Sequence, residues 1–218
     1  AEVEREGRSA EERFVPPMAD PLVGRSIGPY RVVERIVAGG MVVVYEADQV
    51  APIRRRVALK LLKLGMDTEE LLLRIEAERY AMARMDHPGI ARILDAGATA
   101  DGRPYFAMEL VEGRPISEYC AREEMTLDER LRLFARVCSA VQHAHQRGVI
   151  HRDLKPSNVL VARRDGGAHP KVIDFGIAKA TAESLTDGSF ATQLGRIVGT
   201  PDYMSPEQAS AEGAGVDV

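Results

Sequence analysis

The sequence has 218 residues and a formal net charge of −4, with 45% apolar and 28% charged residues. These values are ordinary for a water-soluble globular protein with one sizeable core or two small lobes. The mild acidity argues against nucleic acid as a partner, and no apolar run approaches the length of a membrane span. Cys120 and Cys138 lack the spacing of metal ligands, which indicates reduced thiols in a cytosolic setting.

The first part of the chain reads as a leader followed by strands. Residues 1–26 are polar and include Pro16, Pro17 and Pro21, which predicts a partly disordered segment. Alternating and β-branched residues then predict an antiparallel meander with short links. A helix is predicted for 68–85. The predicted strands cover 30–38, 41–49, 55–63, 90–98 and 104–111.

A second helix is predicted for about 126–147. Thr126 and Glu129 match a capping box at its start. Helical spacing selects an apolar stripe that we expect to face the core. The stripe consists of Leu127, Leu131, Phe134, Cys138 and Val141, widened by Val137 and Ala144. Beyond residue 148 the chain becomes loop-rich with short strands, so the layout is a strand-rich half and then the beginning of a helical half.

Two adjacent glycines, Gly39 and Gly40, lie between two predicted strands in "IVAGGMVVVYEA" at 36–47. Glycine lets backbone N–H groups approach phosphate oxygens, because it lacks a Cβ. A plain hairpin turn has the same composition. The stretch by itself leaves both interpretations open.

The stretch "VIHRDLKPSNVLV" at 149–161 places Asp153, Lys155 and Asn158 within six residues, with Pro156 stiffening the backbone between them. An acid, a cation and an amide this close suit charge transfer around a metal. The alternative is a polar surface turn between a helix and a strand. Downstream, "KVIDFGIAK" at 171–179 ends a short apolar strand at Asp174, which is well placed to bind Mg²⁺.

Lys60 ends "VALK" at 57–60 and is predicted to lie on the inner face of a strand. Most strand lysines are solvated. Glu78, on the helix predicted for 68–85, offers a partner that would hold the ammonium in place for phosphate oxygens.

The order of these features resembles the signature set of the protein kinase family. The features come in the family's order: a glycine turn, a strand Lys, a helix Glu, the Asp–Lys–Asn loop and the Asp–Phe–Gly strand end. The stretch "GTPDYMSPE" at 199–207 follows them. "HRDLKPSN" and "GTPDYMSPEQ" are similar to the bacterial Ser/Thr branch. The resemblance runs from about residue 27 to the end, and it implies ATP between two lobes, Mg²⁺ and phosphoryl transfer to a protein hydroxyl.

The resemblance implies catalytic roles. Asp153 would accept the substrate hydroxyl proton, and Lys155 would neutralise charge on the transferred group. Asn158 and Asp174 would hold Mg²⁺. Thr200 matches the family's position for Ser/Thr specificity beside the catalytic loop.

The resemblance also implies a nucleotide site. Lys60 would contact the α- and β-phosphates and pair with Glu78. Met108 resembles the residue at the back of the adenine pocket, and Glu109 and Val111 would offer backbone groups to adenine. The other implied contacts are Val37, Gly39, Gly40, Val44 and Ala58.

The sequence departs from the family pattern at two places. Family members tend to carry three glycines at the turn, and Val37 and Val42 replace the first and third of these. A β-branched side chain restricts the backbone there and adds bulk. The sequence also ends just past "SPE", so we expect a fragment with an incomplete helical lobe.

These observations predict an α+β, two-lobe protein-kinase-like fold with a β-rich, one-helix N-lobe. The expected parts are a leader at 1–26, a nucleotide-binding N-lobe at 27–111 and a partial C-lobe at 112–218. The expected function is ATP- and Mg²⁺-dependent phosphorylation of Ser or Thr in proteins. The alternative is a nucleotide-binding or scaffolding module without turnover, and a small-molecule phosphotransferase is a weaker third interpretation.

Expected partners are protein substrates and a second copy for trans-autophosphorylation, with neither nucleic acid nor a membrane segment. The expected location is cytoplasmic, with membrane anchoring of the parent protein left open.

Overall fold

A computed structural model of the chain describes residues 20–38, 42–62, 85–175 and 201–206. Nearly all of the helix predicted for 68–85 lies outside these residues. The same is true of four residues singled out from the sequence: Gly39, Gly40, Glu78 and Thr200.

The first half is a six-stranded antiparallel sheet with the order β1-β2-β3-β4-β6-β5. Its strands are β1 Ser26–Ile27, β2 Tyr30–Ala38, β3 Val42–Gln49, β4 Arg55–Leu62, β5 Ile93–Ala98 and β6 Pro104–Glu109. Five of them match predicted strands, and only the two-residue β1 was missed. A strand that short offers no alternation to detect.

Alternation along β4 divides its side chains between two faces. Val57, Leu59 and Leu61 are buried in the sheet's own core, with Tyr30, Tyr45 and Tyr105 among their neighbours in that cluster. The residues between them face the opposite way because successive strand side chains alternate. Lys60 therefore lies on the face turned toward the rest of the chain, where it is only 5% exposed.

Residues 20–26, which the sequence assigned to the leader, contact this sheet. The Asp20 carboxylate accepts a hydrogen bond from the Tyr45 hydroxyl at 3.2 Å and pairs with Arg35 at 3.2 Å. Leu22 packs against the sheet core. Ordered structure therefore begins before residue 26.

The second half contains one long helix packed against a small sheet. Its elements are β7 Arg114–Pro115, α1 Ile116–Arg122, α2 Leu127–His145, β8 Val159–Arg164 and β9 Gly167–Val172. Strands β7, β8 and β9 form a three-stranded antiparallel sheet. The predicted capping box of α2 is confirmed, since Thr126 and Glu129 each bond the other's backbone N–H. No helix in the described ranges is long and apolar enough to cross a membrane.

The predicted core face of α2 is largely wrong. Leu127, Leu131 and Phe134 are 74%, 57% and 58% exposed, and Cys138 is exposed as well. The buried residues are Leu133, Val137, Ala140 and Ala144, of which Val137 and Ala144 belong to the predicted stripe. The helix has apolar residues on more than one side, and spacing alone does not say which side meets the sheet.

A shared core joins the two halves beneath the candidate site. Leu62 and Phe106 of the first sheet pack in one cluster with residues of α2, β8, β9 and the segment after β9. The members from the second half are Val137, Ala140, Ala144, Val159, Val172 and Phe175. A bridge between Ile90 and Val172 adds a backbone connection.

Candidate active site

The loop between α2 and β8 folds back on itself. Arg152 has a positive φ of 59°, and the Asp153 N–H donates to the His151 carbonyl at 2.8 Å. A 3₁₀ turn follows at Pro156–Asn158, with the Asn158 N–H bonded to the Lys155 carbonyl at 2.9 Å. Proline suits the first position of such a turn because its φ is already fixed. The loop thereby brings its three predicted polar residues together.

The Asp153 carboxylate is held from two sides. Asn158 Nδ2 donates to the Asp153 carbonyl at 2.8 Å and to Asp153 Oδ2 at 3.2 Å. Lys155 Nζ lies 3.0 Å from the same Oδ2, and both side chains of that pair are 24% exposed. The carboxylate is therefore oriented and also accessible to a substrate.

The buried His151 ring holds this loop in place through two hydrogen bonds. It is 2% exposed, Nε2 lies 2.9 Å from the Ile173 carbonyl, and Nδ1 accepts the Asp153 N–H at 3.3 Å. These partners require the neutral ring with its proton on Nε2. Burial lowers the pKa of His151, only partly offset by the bond to Ile173 and the nearby Asp153 and Asp174 carboxylates. The ring is thus a structural support.

Asp174 follows β9 and points back toward the first sheet. The Ile173 N–H donates to the Asn158 carbonyl at 2.9 Å, which attaches the strand end to the loop. Asp174 has a positive φ of 57°. Phe175 enters the shared core, with its ring centre 4.7 Å from that of His151. The turn therefore buries the aromatic ring and leaves the Asp174 carboxylate facing Lys60.

Lys60 meets Asp174 across a separation of 114 residues. Nζ lies 3.1 Å from Oδ1, and the two side chains are 6% and 28% exposed. A buried ammonium needs an anionic partner, because burial otherwise disfavours its charged form. The sequence predicted Glu78 as that partner, and Glu78 lies outside the described residues. No spacing pattern between the two residues predicts the contact with Asp174.

The strand register places the predicted nucleotide-contacting residues of the sheet opposite one another. Val37 lies opposite Val44, Val44 opposite Lys60, and Ala58 opposite Met108. Directly opposed residues share a face, and so do residues two apart on a strand. These five side chains therefore occupy one face of the sheet, with Val37 54% exposed and Met108 buried.

The end of β6 and the segment after it contain Glu109 and Val111, whose backbone groups were predicted to meet adenine. Val111 is buried. The Glu109 N–H donates to the Arg92 carbonyl at 2.8 Å, so it is not available to adenine. The Glu109 carboxylate binds Lys171 Nζ with both oxygens at 2.6 Å, a contact not predicted from the sequence. Lys171 lies three residues before Asp174, and strand alternation directs it away from its neighbours Val172 and Pro170.

Asn158 and Asp174 provide oxygen donors of the type that Mg²⁺ prefers. The described residues contain no cluster of three or more His, Cys, Asp or Glu that could hold a metal ion. Two protein ligands fit an ion that keeps several waters and shares phosphate oxygens with a substrate. The donor set therefore fits Mg²⁺ brought in with a nucleotide.

Comparison with known proteins identifies the relatives of this arrangement. The family model described as protein kinase domain matches residues 30–218. The serine/threonine-protein kinase Pkn1 of Myxococcus xanthus is 41% identical over 217 residues, covering 98% of this chain and 30% of Pkn1. The serine/threonine-protein kinase PknA of Mycobacterium tuberculosis is 38% identical over 196 residues, covering 87% of this chain and 43% of PknA.

Solved structures agree with the sequence comparison. The crystal structure of the Mycobacterium tuberculosis PknI kinase domain aligns with a TM-score of 0.60 and 32% identity, over 71% of this chain and 62% of that chain. The predicted α+β, two-lobe fold is confirmed. The chain spans well under half the length of the curated relatives named above.

Proposed function

The chain belongs to the protein kinase family, and on that premise we propose that it transfers the γ-phosphoryl group of ATP, with Mg²⁺, to Ser or Thr of protein substrates. The observation that supports this proposal most directly is the 3.1 Å contact between Lys60 Nζ and Asp174 Oδ1. It puts a buried cation and a carboxylate together beside a loop that presents Asp153. Phosphoryl transfer needs those charges close to one another and little covalent chemistry from the protein.

Lys60 and Asp174 would divide the task of holding the nucleotide phosphates. The Lys60 ammonium would bind α- and β-phosphate oxygens, with Glu78 as a second carboxylate partner. Asp174 and Asn158 would each give an oxygen to Mg²⁺. The bound ion would neutralise charge on the β- and γ-phosphates.

Asp153 would take the proton in the transfer step. The substrate hydroxyl oxygen forms a bond to the γ-phosphorus as the bond from that phosphorus to the bridging oxygen of ADP breaks. The hydroxyl proton passes to the Asp153 carboxylate. Lys155, 3.0 Å from Asp153 Oδ2, would stabilise the charge spread over the transferred group.

The shared sheet face would bind the base and sugar. Val37, Val44 and Ala58 would pack against them, Met108 would close the back of the pocket, and Val111 would offer backbone groups. The Gly39–Gly40 turn would cover the phosphates. Thr200 would lie beside the catalytic loop. Residues 27–111 would then bind the nucleotide, while 112–218 would carry the catalytic loop and receive the peptide.

The proposal extends to partners and location. Five hydroxyl residues lie in the stretch that follows Asp174: Thr181, Ser184, Thr186, Ser189 and Thr192. They support phosphorylation of one copy by another in a homodimer. The free thiols of Cys120 and Cys138 support a cytoplasmic setting.

A nucleotide-binding or scaffolding module without turnover is the second candidate. One observation favours it: Val37 stands where the family has glycine, and its side chain is 54% exposed on the proposed nucleotide face. Extra bulk there would hinder close approach of the backbone to phosphate.

A radiolabelled transfer assay on the full-length protein separates the two candidates. We expect Asp153→Asn to lower turnover by about 10²–10⁴-fold, because proton acceptance acts in the transition state. ATP affinity, measured by titration calorimetry, should not change. Asp165→Asn is the matched control, since Asp165 is exposed at the β8–β9 turn with a φ of 48°, which Asn tolerates.

Two results would count against the proposal. A wild-type protein that binds ATP and transfers nothing would favour the module without turnover. An Asp153→Asn protein with the turnover of Asp165→Asn would remove Asp153 from the mechanism.

A further inference from the structure

A second concave site lies apart from the proposed transfer centre. It has a volume of about 610 Å³ and is lined by residues from the sheet half and from the β8–β9 hairpin. It shares only Glu109 with the candidate active site. We call it the basic cavity.

Positive charge is concentrated in the basic cavity, although the whole chain carries a net charge of −4. Among the described residues that line it, the only acidic one is Glu109. The basic lining residues, apart from two histidines, are Arg55, Arg56, Arg92, Arg164 and Lys171. Four of the five are arginines, whose planar guanidinium matches the oxygens of phosphate and carboxylate groups.

Three of these cations are already compensated by carboxylates. Arg56 pairs with Glu46, Arg92 pairs with Asp86 at 2.6 Å, and Lys171 pairs with Glu109 at 2.6 Å. These pairs leave little net charge for a ligand.

Arg55 and Arg164 are not compensated in this way. Arg55 Nε donates to the neutral Gln49 Oε1 at 2.6 Å. The Arg164 backbone pairs with Gly167 in the β8–β9 ladder, but its side chain makes no ion pair or hydrogen bond with any residue in the described part of the chain. One comes from the first sheet and the other from β8, so two arginines without a carboxylate partner among the described residues contribute to the lining of the same cavity from the two halves.

We propose that the basic cavity binds a phosphorylated Ser or Thr of a peptide segment. A phosphate carries a charge of about −1.5 to −2 and three strong acceptor oxygens, which two guanidinium groups can share. Pro88, Leu94 and Leu110 give the cavity apolar surface for neighbouring peptide side chains. None of the described lining residues is a Phe, Tyr or Trp that could stack on a nucleobase, which favours a peptide over a nucleotide.

This inference rests on the proposed function only for the source of the phosphorylated peptide, because binding itself requires no transfer. A phosphorylated protein held at the basic cavity would remain bound to the kinase between transfer steps. The kinase would then act preferentially on proteins that already carry one phosphate.

The test uses fluorescence anisotropy on the full chain with two labelled peptides. Both copy residues 186–198, and one is phosphorylated at Thr192. We expect the phosphorylated peptide to bind about tenfold more tightly, and Arg55→Gln or Arg164→Gln to weaken its binding by about tenfold. Arg163→Gln is the control, because Arg163 is exposed on the same strand, pairs with Glu123 at 2.8 Å and does not line the cavity.

Equal affinity for the two peptides would overturn the proposal, and so would equal weakening by Arg163→Gln and Arg164→Gln. Displacement of the peptide by inorganic phosphate at the peptide's own concentration would show a site for a bare anion, which also overturns it. Circular dichroism of each variant excludes loss of folding. A protein that transfers phosphate but fails this test loses only the basic cavity proposal, whereas one that binds without transferring loses only the proposed function.

Discussion

The six-stranded sheet and helix α2 use their apolar residues differently. In β4 the buried Val57, Leu59 and Leu61 alternate with residues of the opposite face, as the sequence predicts. In α2 the predicted core residues Leu131 and Phe134 are more than half exposed. A strand has only two faces, so alternation fixes burial, whereas a helix has a full circumference and its buried side depends on its neighbours.

The proposed transfer centre lies where these two regions meet. Lys60 is fixed in mid-sheet by pairing with Val44 on one side and Phe106 on the other. Asp174 depends on a turn of positive φ and on the attachment of Ile173 to Asn158. The sheet thus holds the Lys60 ammonium rigidly, whereas the Asp174 carboxylate of the second half is held by a few specific contacts.

Lys60→Met removes the contact between the sheet and Asp174 and should have the largest effect among changes to the sheet and to α2. Loss of the ammonium removes a preorganised positive charge from the phosphates, so we expect turnover to fall by about 10²–10³-fold. Steady-state phosphorylation by the full-length protein measures this. Arg31→Met is the control, because Arg31 lies on β2 and is exposed. Turnover within threefold of the control would mean that the contact between Lys60 and Asp174 is only structural.

Two leucines of α2 allow the effect of burial on stability to be compared within one helix. Leu133 is 3% exposed and packs with Tyr119, Cys120 and Val161, whereas Leu131 is 57% exposed. Leu133→Ala should lower the free energy of unfolding by about 2–5 kcal/mol, and Leu131→Ala by about 0.5 kcal/mol or less. Urea denaturation followed by circular dichroism checks both. Equal losses would show that the predicted stripe of α2 does pack against the protein.

His151 should make the second half sensitive to acid. Its folded-state pKa is lowered mainly by burial, so the unfolded chain binds the proton more readily. The stability due to the neutral ring is full above the unfolded pKa of about 6.5 and is lost as pH falls toward the folded pKa. His151→Gln keeps a donor for Ile173 and removes the titration.

Unfolding measured between pH 7 and 5 tests this prediction. The variant should lose less stability than the wild type over that interval. His87 also has a lowered pKa, mainly from burial and then from His143 and Arg147, so some pH dependence should remain. An unchanged pH profile would show that His151 does not titrate in this way.

Restoring glycine at the β2–β3 turn should have the smallest effect. Val37→Gly with Val42→Gly would let the backbone approach phosphate, and we expect a few-fold gain in affinity for a non-hydrolysable ATP analogue. Each glycine should also cost the sheet about 0.5–1 kcal/mol. Calorimetry measures the affinity. Equal or weaker binding by the double variant would show that the valines do not obstruct the nucleotide.

Much of the fold and the loop part of the site could be predicted because their sequence patterns span only a few residues. The capping box of Thr126 and Glu129 spans four residues, and the Asp153–Asn158 contact lies within a single turn. The contact between Lys60 and Asp174 joins residues 114 apart, so no short pattern reports it. The Glu109–Lys171 pair was missed for the same reason, and the buried side of α2 depends on which elements pack around it.

The account's central claim is that Lys60 of the sheet and Asp153 of the loop serve one transfer step. Single-turnover phosphoryl transfer from prebound ATP should be compared for Lys60→Met, Asp153→Asn and the double variant in the full-length protein. Residues that act as a unit are strongly non-additive, so the double variant should be at most about tenfold slower than the slower single variant. Full multiplication of the two losses would contradict the claim, because it would mean that the two residues act independently.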